Sequence, residues 1–135
     1  VLKHGERATR RVAFSADGRL LAASSLDASV IVWETSAWHE AVPLSLPHWA
    51  DSLGFSPDGR RLAIGSRAQE AVKLWDTATW RELLTLEAPG GHLWQLAFTA
   101  DGSRLLGCNE AGDLLVWSAP SWEEIEAVEN KKKGP

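Results

Sequence analysis

VAFSADGRLLAASSLDASVIVWETSAW, residues 12–38, decides the fold, because the chain contains two further copies of it. The copies read LGFSPDGRRLAIGSRAQEAVKLWDTATW at residues 53–80 and LAFTADGSRLLGCNEAGDLLVWSAPSW at residues 96–122. Two tryptophans of the unit recur every 42 residues, as Trp33, Trp75 and Trp117 and as Trp38, Trp80 and Trp122. A fixed period of about 20–50 residues indicates a repeat architecture, so nearly the whole chain is three copies of one structural unit.

Each unit predicts four short β-strands joined by tight turns. An Asp-Gly pair follows the first strand of every unit, at residues 17–18, 58–59 and 101–102. Such pairs favour chain reversal, because glycine adopts positive φ at little steric cost. The units span approximately residues 11–46, 52–88 and 94–129 and give twelve strands, with no helix longer than about two turns. Pro43 interrupts the fourth strand of the first unit, which predicts a sheet edge there, since proline cannot donate a ladder hydrogen bond.

The last strand of the third unit has a competing interpretation. SWEEIEAVE, residues 121–129, has the pattern of a capped helix start. Its place in the repeat, however, matches the predicted strands at residues 39–46 and 81–87. The repeat therefore favours a strand over residues 123–129. Residues 130–135, NKKKGP, have nothing to bury and are predicted to be a disordered tail.

The composition is that of a soluble globular domain, with 44% hydrophobic and 24% charged residues among 135. The net charge of −4 argues against nucleic acid as a partner, which requires a basic face. No apolar run approaches the roughly 18–20 residues that span a bilayer, so no membrane partner is expected. The single cysteine, Cys108, excludes an internal disulfide and favours a reducing, cytoplasmic location.

Three groups of residues in each unit resemble WD40 repeats, the family that builds β-propellers from four-stranded blades. They are FSADG, FSPDG and FTADG after the first strand, IVWE, KLWD and LVWS at the end of the third strand, and the upstream histidines His4, His48 and His92. Only residues 75–76 keep the Trp-Asp pair of the family. The resemblance implies an all-β domain over residues 1–129, in which three four-stranded antiparallel blades form a partial propeller, a half-ring.

The resemblance also implies structural roles for individual residues. The aromatic side chains that would form the blade core are Trp33, Trp75, Trp117, Phe14, Phe55 and Phe98. The family often links a His, a Ser or Thr, an Asp and a Trp of one blade by hydrogen bonds. The implied members of such tetrads are His4, Ser25 and Asp27 in the first unit, His48 and Ser66 in the second, and His92 in the third.

Catalysis and metal binding have little support in the sequence. His4, Ser25 and Asp27 have the composition of a hydrolytic triad, but the repeat already explains the serine and the aspartate, and no nucleophile-elbow motif occurs. His48 and His92 would be two metal ligands on different blades without a third. Cys108 lies in the apolar run RLLGC and is predicted to be a buried core thiol. We expect no enzyme activity, no cofactor and no metal.

Trp49 and Trp94 are the predicted partner-binding residues. They lie in the loops that lead into the second and third units, and the resemblance implies that these loops share the propeller side most often used for partners. The expected function is a non-catalytic scaffold for protein–protein interaction, with an unknown protein partner. The alternative is the C-terminal regulatory or sensor propeller of a larger bacterial signalling enzyme, such as a kinase.

Two further expectations follow from the number of blades and from the second tryptophan of each unit. Propellers close with about 4–8 blades, so three blades leave two open faces, with Trp33 or Trp117 exposed on the end blades. A second copy, giving a six-bladed homodimer, or the remaining blades of a longer chain would complete the ring. Trp38, Trp80 and Trp122 either pack against the adjacent turn or form an exposed aromatic row along one rim.

Overall fold

The computed structural model describes residues 1–2, 7–67, 71–119 and 121–134, apart from the side chains of residues 40 and 41. This part of the chain forms eleven β-strands and one α-helix. The first unit contains β1 (Thr9–Phe14), β2 (Leu20–Ser25), β3 (Ser29–Glu34) and β4 (His39–Ser45). The second contains β5 (Ala50–Phe55), β6 (Arg61–Ser66), β7 (Val72–Asp76) and β8 (Glu82–Leu86). The third contains β9 (Leu93–Phe98), β10 (Arg104–Asn109), β11 (Leu114–Ser118) and α1 (Trp122–Lys132).

Each unit forms one antiparallel sheet in which strands that follow each other in sequence are neighbours. The first strands of the three sheets stand side by side, with β5 packed against β1 and against β9. The sheets do not close into a ring. The predicted all-β architecture of antiparallel blades is therefore confirmed. Pro43 lies on β4, opposite Ile31, at the edge of the first sheet, as predicted.

The Asp-Gly turns repeat one hydrogen-bond pattern. In the third unit the Thr99 hydroxyl donates to Asp101 (Oγ1–Oδ1 2.6 Å) and accepts from the amide nitrogen of Arg104 (3.1 Å). Hydrogen bonds from Thr99 and from Ser103 lower the pKa of Asp101 to about 2. Gly102 follows with φ 71°, the left-handed conformation that glycine adopts most easily. The same hydroxyl–carboxylate pair occurs in the other units, as Ser15 with Asp17 and Ser56 with Asp58.

The prediction of a fourth strand over residues 123–129 is wrong, because α1 forms there. Ser121 Oγ accepts a hydrogen bond from the Glu124 amide (3.2 Å), and Glu124 Oε2 accepts one from the Ser121 amide (2.7 Å), which completes a capping box. Glu123 and Glu124 in the first turn, with Lys131 and Lys132 in the last, complement the helix dipole. The third sheet consequently has three strands.

The helix also corrects the predicted disordered tail, since it continues through residues 130–132. No residue of α1 is buried, and its anchor is Trp122 at the first position. The Arg60 guanidinium lies over the Trp122 ring, 4.0 Å from its centroid, and the Trp122 indole donates to Asp58 (Nε1–Oδ2 3.2 Å). The chain after β11 therefore leans back onto the second sheet instead of extending the third.

Two apolar clusters hold neighbouring sheets together. The first lies between the first and second sheets and includes the buried residues Ala22, Val30, Val32, Leu44, Leu62 and Ile64. The second lies between the second and third sheets and includes Ala63, Val72, Leu74, Leu93, Leu96 and Leu105. Burying apolar area at about 25 cal/mol per Å² makes these faces the main source of stability. A repeat protein of this kind is stabilised by each unit covering the next.

Two predictions about side chains at the ends of this row of sheets are wrong. Phe55 and Phe98 pack against the clusters between sheets, but Phe14, predicted to belong to the blade core, is 57% exposed. The reason is that the described residues place no further sheet against this side of the first one. The predicted exposure of Trp33 or Trp117 is also wrong, since Trp33 is 5% exposed and Trp117 packs against the second cluster.

The side chains of the second tryptophan in each unit behave differently. Trp38 is 50% exposed, whereas Trp80 packs against the first cluster and Trp122 against Arg60. Trp38 and Trp80 lie just before β4 and β8 and have positive φ, 52° and 54°. Trp122, in contrast, is the first residue of α1. Two of these three tryptophans therefore pack against neighbouring side chains, and the three do not form a continuous exposed row. Cys108, predicted to be buried, is exposed.

Candidate functional site

A buried carboxylate lies at the end of the sheets where β1, β5 and β9 begin. The side chain of Asp51 is only 2% exposed. Arg67 Nε donates to Asp51 Oδ2 (2.9 Å), Arg10 Nε lies 3.1 Å from Oδ1, and His92 Nε2 lies 2.5 Å from Oδ2. A buried charge is costly unless it is paired, and these contacts offset that cost. We refer to these four residues as the Asp51 cluster.

The Asp51 cluster joins all three sheets. Arg10 belongs to β1, Asp51 to β5, Arg67 follows β6, and His92 precedes β9. The repeat explains the geometry, because Arg10, Asp51 and Trp94 each stand four residues before the phenylalanine that ends the first strand of their unit. Equivalent positions of adjacent strands lie side by side, so one acidic residue meets groups from both neighbouring sheets.

Trp49 and Trp94 lie at the two ends of one chain of contacts that runs through this cluster. The Arg67 guanidinium lies over the Trp49 ring, 5.4 Å from its centroid, within the range of a cation–π interaction. The His92 and Trp94 rings are in contact, with centroids 4.4 Å apart and planes tilted by 32°. Trp49 is 43% exposed and Trp94 is 49% exposed. The structure thus brings the two sequence-predicted residues together on one surface, which we call the tryptophan face (Trp49, Arg67 and Trp94).

An open pocket of about 270 Å³ adjoins the tryptophan face. It is lined by residues from the first strands of all three sheets: Arg11, Val12, Ser52, Leu53, Trp94, Gln95 and Leu96. Ser52 is buried, and its Oγ has no hydrogen-bond partner in the described part of the chain. Gly65 makes room for this hydroxyl, because a Cβ at that position would lie 2.2 Å from Ser52 Oγ.

Comparison with known proteins identifies the repeat. Residues 2–34 match the family model of the WD domain, G-beta repeat (WD40). The structure of U3-55K superposes on 87% of the chain with a TM-score of 0.82 at 18% sequence identity. The crystal structure of RRP9 WD40 repeats superposes on the same share with a TM-score of 0.81, also at 18% identity. Residues 2–34 therefore match a WD40 repeat, and the chain as a whole has the fold of WD40 propeller blades.

The match concerns only part of the similar structures. The chain spans 38% of the U3-55K chain and 37% of the RRP9 chain. No curated protein sequence matches the chain. At 18% identity the two structures establish the propeller fold and carry no assignment of partner or activity.

The residues of the WD40 tetrads implied by the sequence lie in different environments. Ser25 is fully buried and its hydroxyl lies 3.5 Å from the Ala8 carbonyl. Asp27 accepts hydrogen bonds from Ser29 in an exposed turn (Oδ1 to the amide nitrogen 3.0 Å). Ser66 ends β6, where its amide donates to the Ala71 carbonyl (2.7 Å). His4 lies outside the described residues.

The two remaining histidines occupy different environments. His92 is buried and contacts Asp51 of the neighbouring blade, whereas His48 is exposed. The strands explain the difference, because β9 begins directly after His92 and β5 begins directly after Trp49. The structural counterpart of His92 in the second blade is therefore Trp49, and His48 stands one residue too early.

Sequence reasoning missed Asp51, Arg10 and Arg67. The available signal is a lone acidic residue in the strand ADSLGF, at the position where the other first strands carry Arg10 and Trp94. A charge at a position expected to face neighbouring strands requires a partner, and this identifies Asp51 as unusual. Its partners, however, come from three separate segments of the chain, and the repeat pattern does not indicate which residues they are.

The described residues contain no group of three His, Cys, Asp or Glu side chains arranged to hold a metal ion. In the same part of the chain no helix is long and apolar enough to cross a membrane.

Proposed function

We propose that this WD40-repeat protein is a non-catalytic scaffold that binds a protein partner through its tryptophan face. One observation carries the proposal. The half-exposed indole rings of Trp49 and Trp94 contact Arg67 and His92, and both of these residues contact the buried carboxylate of Asp51. Trp and Arg are enriched among residues that dominate binding energy at interfaces. Holding them in one arrangement before binding lowers the entropic cost of association.

Two of the three residues that have the composition of a hydrolytic triad, Ser25 and Asp27, make structural contacts. Ser25 is buried beside a backbone carbonyl, and Asp27 closes a turn. A cytoplasmic location is part of the proposal and is supported only by Cys108, which forms no disulfide. The alternative, a regulatory part of a larger bacterial signalling enzyme, stays a prediction, because no feature of the described residues favours it.

Partner capture by the immobilised chain tests the scaffold proposal. We expect the double variant Trp49→Ala/Trp94→Ala to lose at least about 100-fold in affinity for the captured partner, because each central interface tryptophan contributes on the order of 2 kcal/mol. The partner is identified first by mass spectrometry, and its affinity for both forms is then measured by calorimetry.

Trp38→Ala is the matched control for this experiment. Trp38 is equally exposed, at 50%, but precedes β4, at the end of the sheets opposite the tryptophan face. It should leave the affinity within about twofold of the wild type. Undiminished binding by the folded double variant would place the interface elsewhere and reject the proposal.

We further propose that the two end faces of the row of blades associate with each other in a head-to-tail homodimer. Val12 and Phe14 on β1 are 64% and 57% exposed, and Leu114 and Val116 on β11 are 64% and 51% exposed. Their counterparts elsewhere in the repeat, such as Phe55 and Val32, pack in the clusters between blades. Remaining blades of a longer chain would cover the same faces, and the molar mass in solution distinguishes the two arrangements.

A further inference from the structure

We propose that the pocket beside Trp94 binds a carboxylate side chain, so that the partner of the tryptophan face presents an acidic peptide segment. This inference rests on the scaffold function proposed above and adds the chemistry of its partner. Three independent features support it: the local charge, the hydrogen-bonding groups of the pocket and its position next to the exposed indole ring.

The charge around the pocket is positive although the chain as a whole carries −4. Asp51 is the one acidic member of its cluster, and the guanidinium groups of Arg10 and Arg67 both contact it. One of these two positive charges is therefore not balanced within the cluster. Arg11, exposed on the next residue of β1, adds a further positive charge at the pocket itself. No acidic side chain is among the described residues that line the pocket.

The hydrogen-bonding groups of the pocket are donors suited to one carboxylate. Arg11 offers a guanidinium fork, which matches the two oxygens of a carboxylate. Ser52 also lines the pocket, but its hydroxyl is enclosed beside Gly65 and is not counted among these donors. Gln95 adds an exposed amide. Arg11 and Gln95 are therefore the exposed donors that a carboxylate in the pocket can reach.

The position of the pocket makes it part of one binding surface. Trp94 belongs both to the pocket lining and to the tryptophan face, so a peptide that covers the indole ring can place its next side chain in the pocket. A larger pocket of about 490 Å³ lies at the opposite end of the sheets, lined by Ser15, Asp17 and Asp58 among others. The polar groups there already bond to each other in the Asp-Gly turns, and acidic residues line it, so it does not suit an anion.

Fluorescence anisotropy with labelled peptides tests the inference. The probes are a fluorescein-labelled peptide of eight glutamates and an equivalent peptide of eight glutamines. We expect the folded wild-type chain to bind the glutamate peptide at least about tenfold more tightly at low salt, since a hydrogen bond to a charged group discriminates by about that factor. The preference should decrease as salt is added, because the groups at the pocket mouth are exposed.

Arg11→Gln and Arg19→Gln form a matched pair of variants. Both remove one exposed arginine charge, but Arg19 follows the Asp17–Gly18 turn at the opposite end of β1. The only hydrogen bond of the Arg11 side chain in the described structure is to the Arg10 carbonyl (3.1 Å), so the fold should persist. Arg11→Gln should weaken glutamate-peptide binding about tenfold, and Arg19→Gln should change it less than about twofold.

Several results would overturn the inference. These are equal affinity for the two peptides, equal effects of the two arginine variants, or displacement of the glutamate peptide by inorganic phosphate but not by glutarate. The scaffold proposal is tested separately by the Trp49→Ala/Trp94→Ala variant. If that variant loses its captured partner while the peptides show no preference for glutamate, the carboxylate assignment fails and the scaffold function stands.

Discussion

Replacing Trp75 by alanine should lower the free energy of unfolding by about 3 kcal/mol. Trp75 is the penultimate residue of β7 and packs against the apolar cluster between the first and second blades, so its removal leaves a cavity at the junction of two units. Truncating a tryptophan in such a place costs about 3–5 kcal/mol. The lower value applies because the ring is only partly buried. Urea denaturation followed by circular dichroism measures the change.

Trp94→Ala is the matched control for this prediction. Trp94 is 49% exposed, and its ring contact in the described structure is with His92. Its removal should cost less than about 1 kcal/mol, as is usual for exposed side chains. Equal shifts of the urea midpoint for the two variants would show that Trp75 does not hold the blades together.

Replacing Asp51 by alanine should cost about 3 kcal/mol of stability. Without the carboxylate, Arg10, Arg67 and the buried His92 lose their shared partner where three blades meet. Breaking a buried ion pair costs about 3–5 kcal/mol. The lower part of that range applies because the side chains of Arg10 and Arg67 are 26% and 44% exposed and regain water. Asp51→Asn, which keeps the shape and removes the charge, separates the electrostatic part of the loss.

Glu34→Ala provides the comparison for Asp51→Ala. Glu34 contacts His39 (Oε2–Nε2 3.4 Å), but both side chains are about half exposed, and such surface pairs contribute about 0–1 kcal/mol. Thermal unfolding of the three variants beside the wild type gives the ranking. A loss for Asp51→Ala no larger than that for Glu34→Ala would mean that the cluster does not stabilise the junction.

The repeat made most of the architecture predictable from sequence. The tryptophans Trp33, Trp75 and Trp117 and the Asp-Gly turns are local signals, and each appears once in every unit. A single short apolar segment can be read as a strand or as part of a helix, and its repetition in three units reduces that ambiguity. Pro43 in β4 was informative for a different reason, since its missing amide hydrogen limits it to an edge strand.

The helix α1 was mispredicted because its local signal is shared with a strand. Residues 79–82 and 121–124 both read Ser or Thr followed three positions later by Glu, so the capping pattern alone does not separate them. In the second unit Thr85 alternates with Leu84 and Leu86, which suits a half-buried strand. In the third unit Ile125 and Val128 are three residues apart, a helical spacing.

The candidate site was only partly predictable. Trp49 and Trp94 could be selected from their position before the repeated strands. Asp51 and its partners could not be assembled, because Arg10, Arg67 and His92 come from distant parts of the chain and meet only after the blades pack. The burial of Phe14 was mispredicted for a related reason, since it depends on a neighbouring blade and the described residues provide none on that side.

Light scattering coupled to size-exclusion chromatography tests most directly whether these three blades form an arc whose end faces pair with each other. The chain has a mass of 14.7 kDa, and at micromolar concentration we expect the mass of two chains, because the exposed residues of β1 and β11 repeat surfaces that are packed between blades. Phe14→Glu should return the folded chain to the mass of one. A wild-type mass equal to that of one chain would contradict the homodimer. The remaining blades of a longer chain would then be the alternative that covers both end faces.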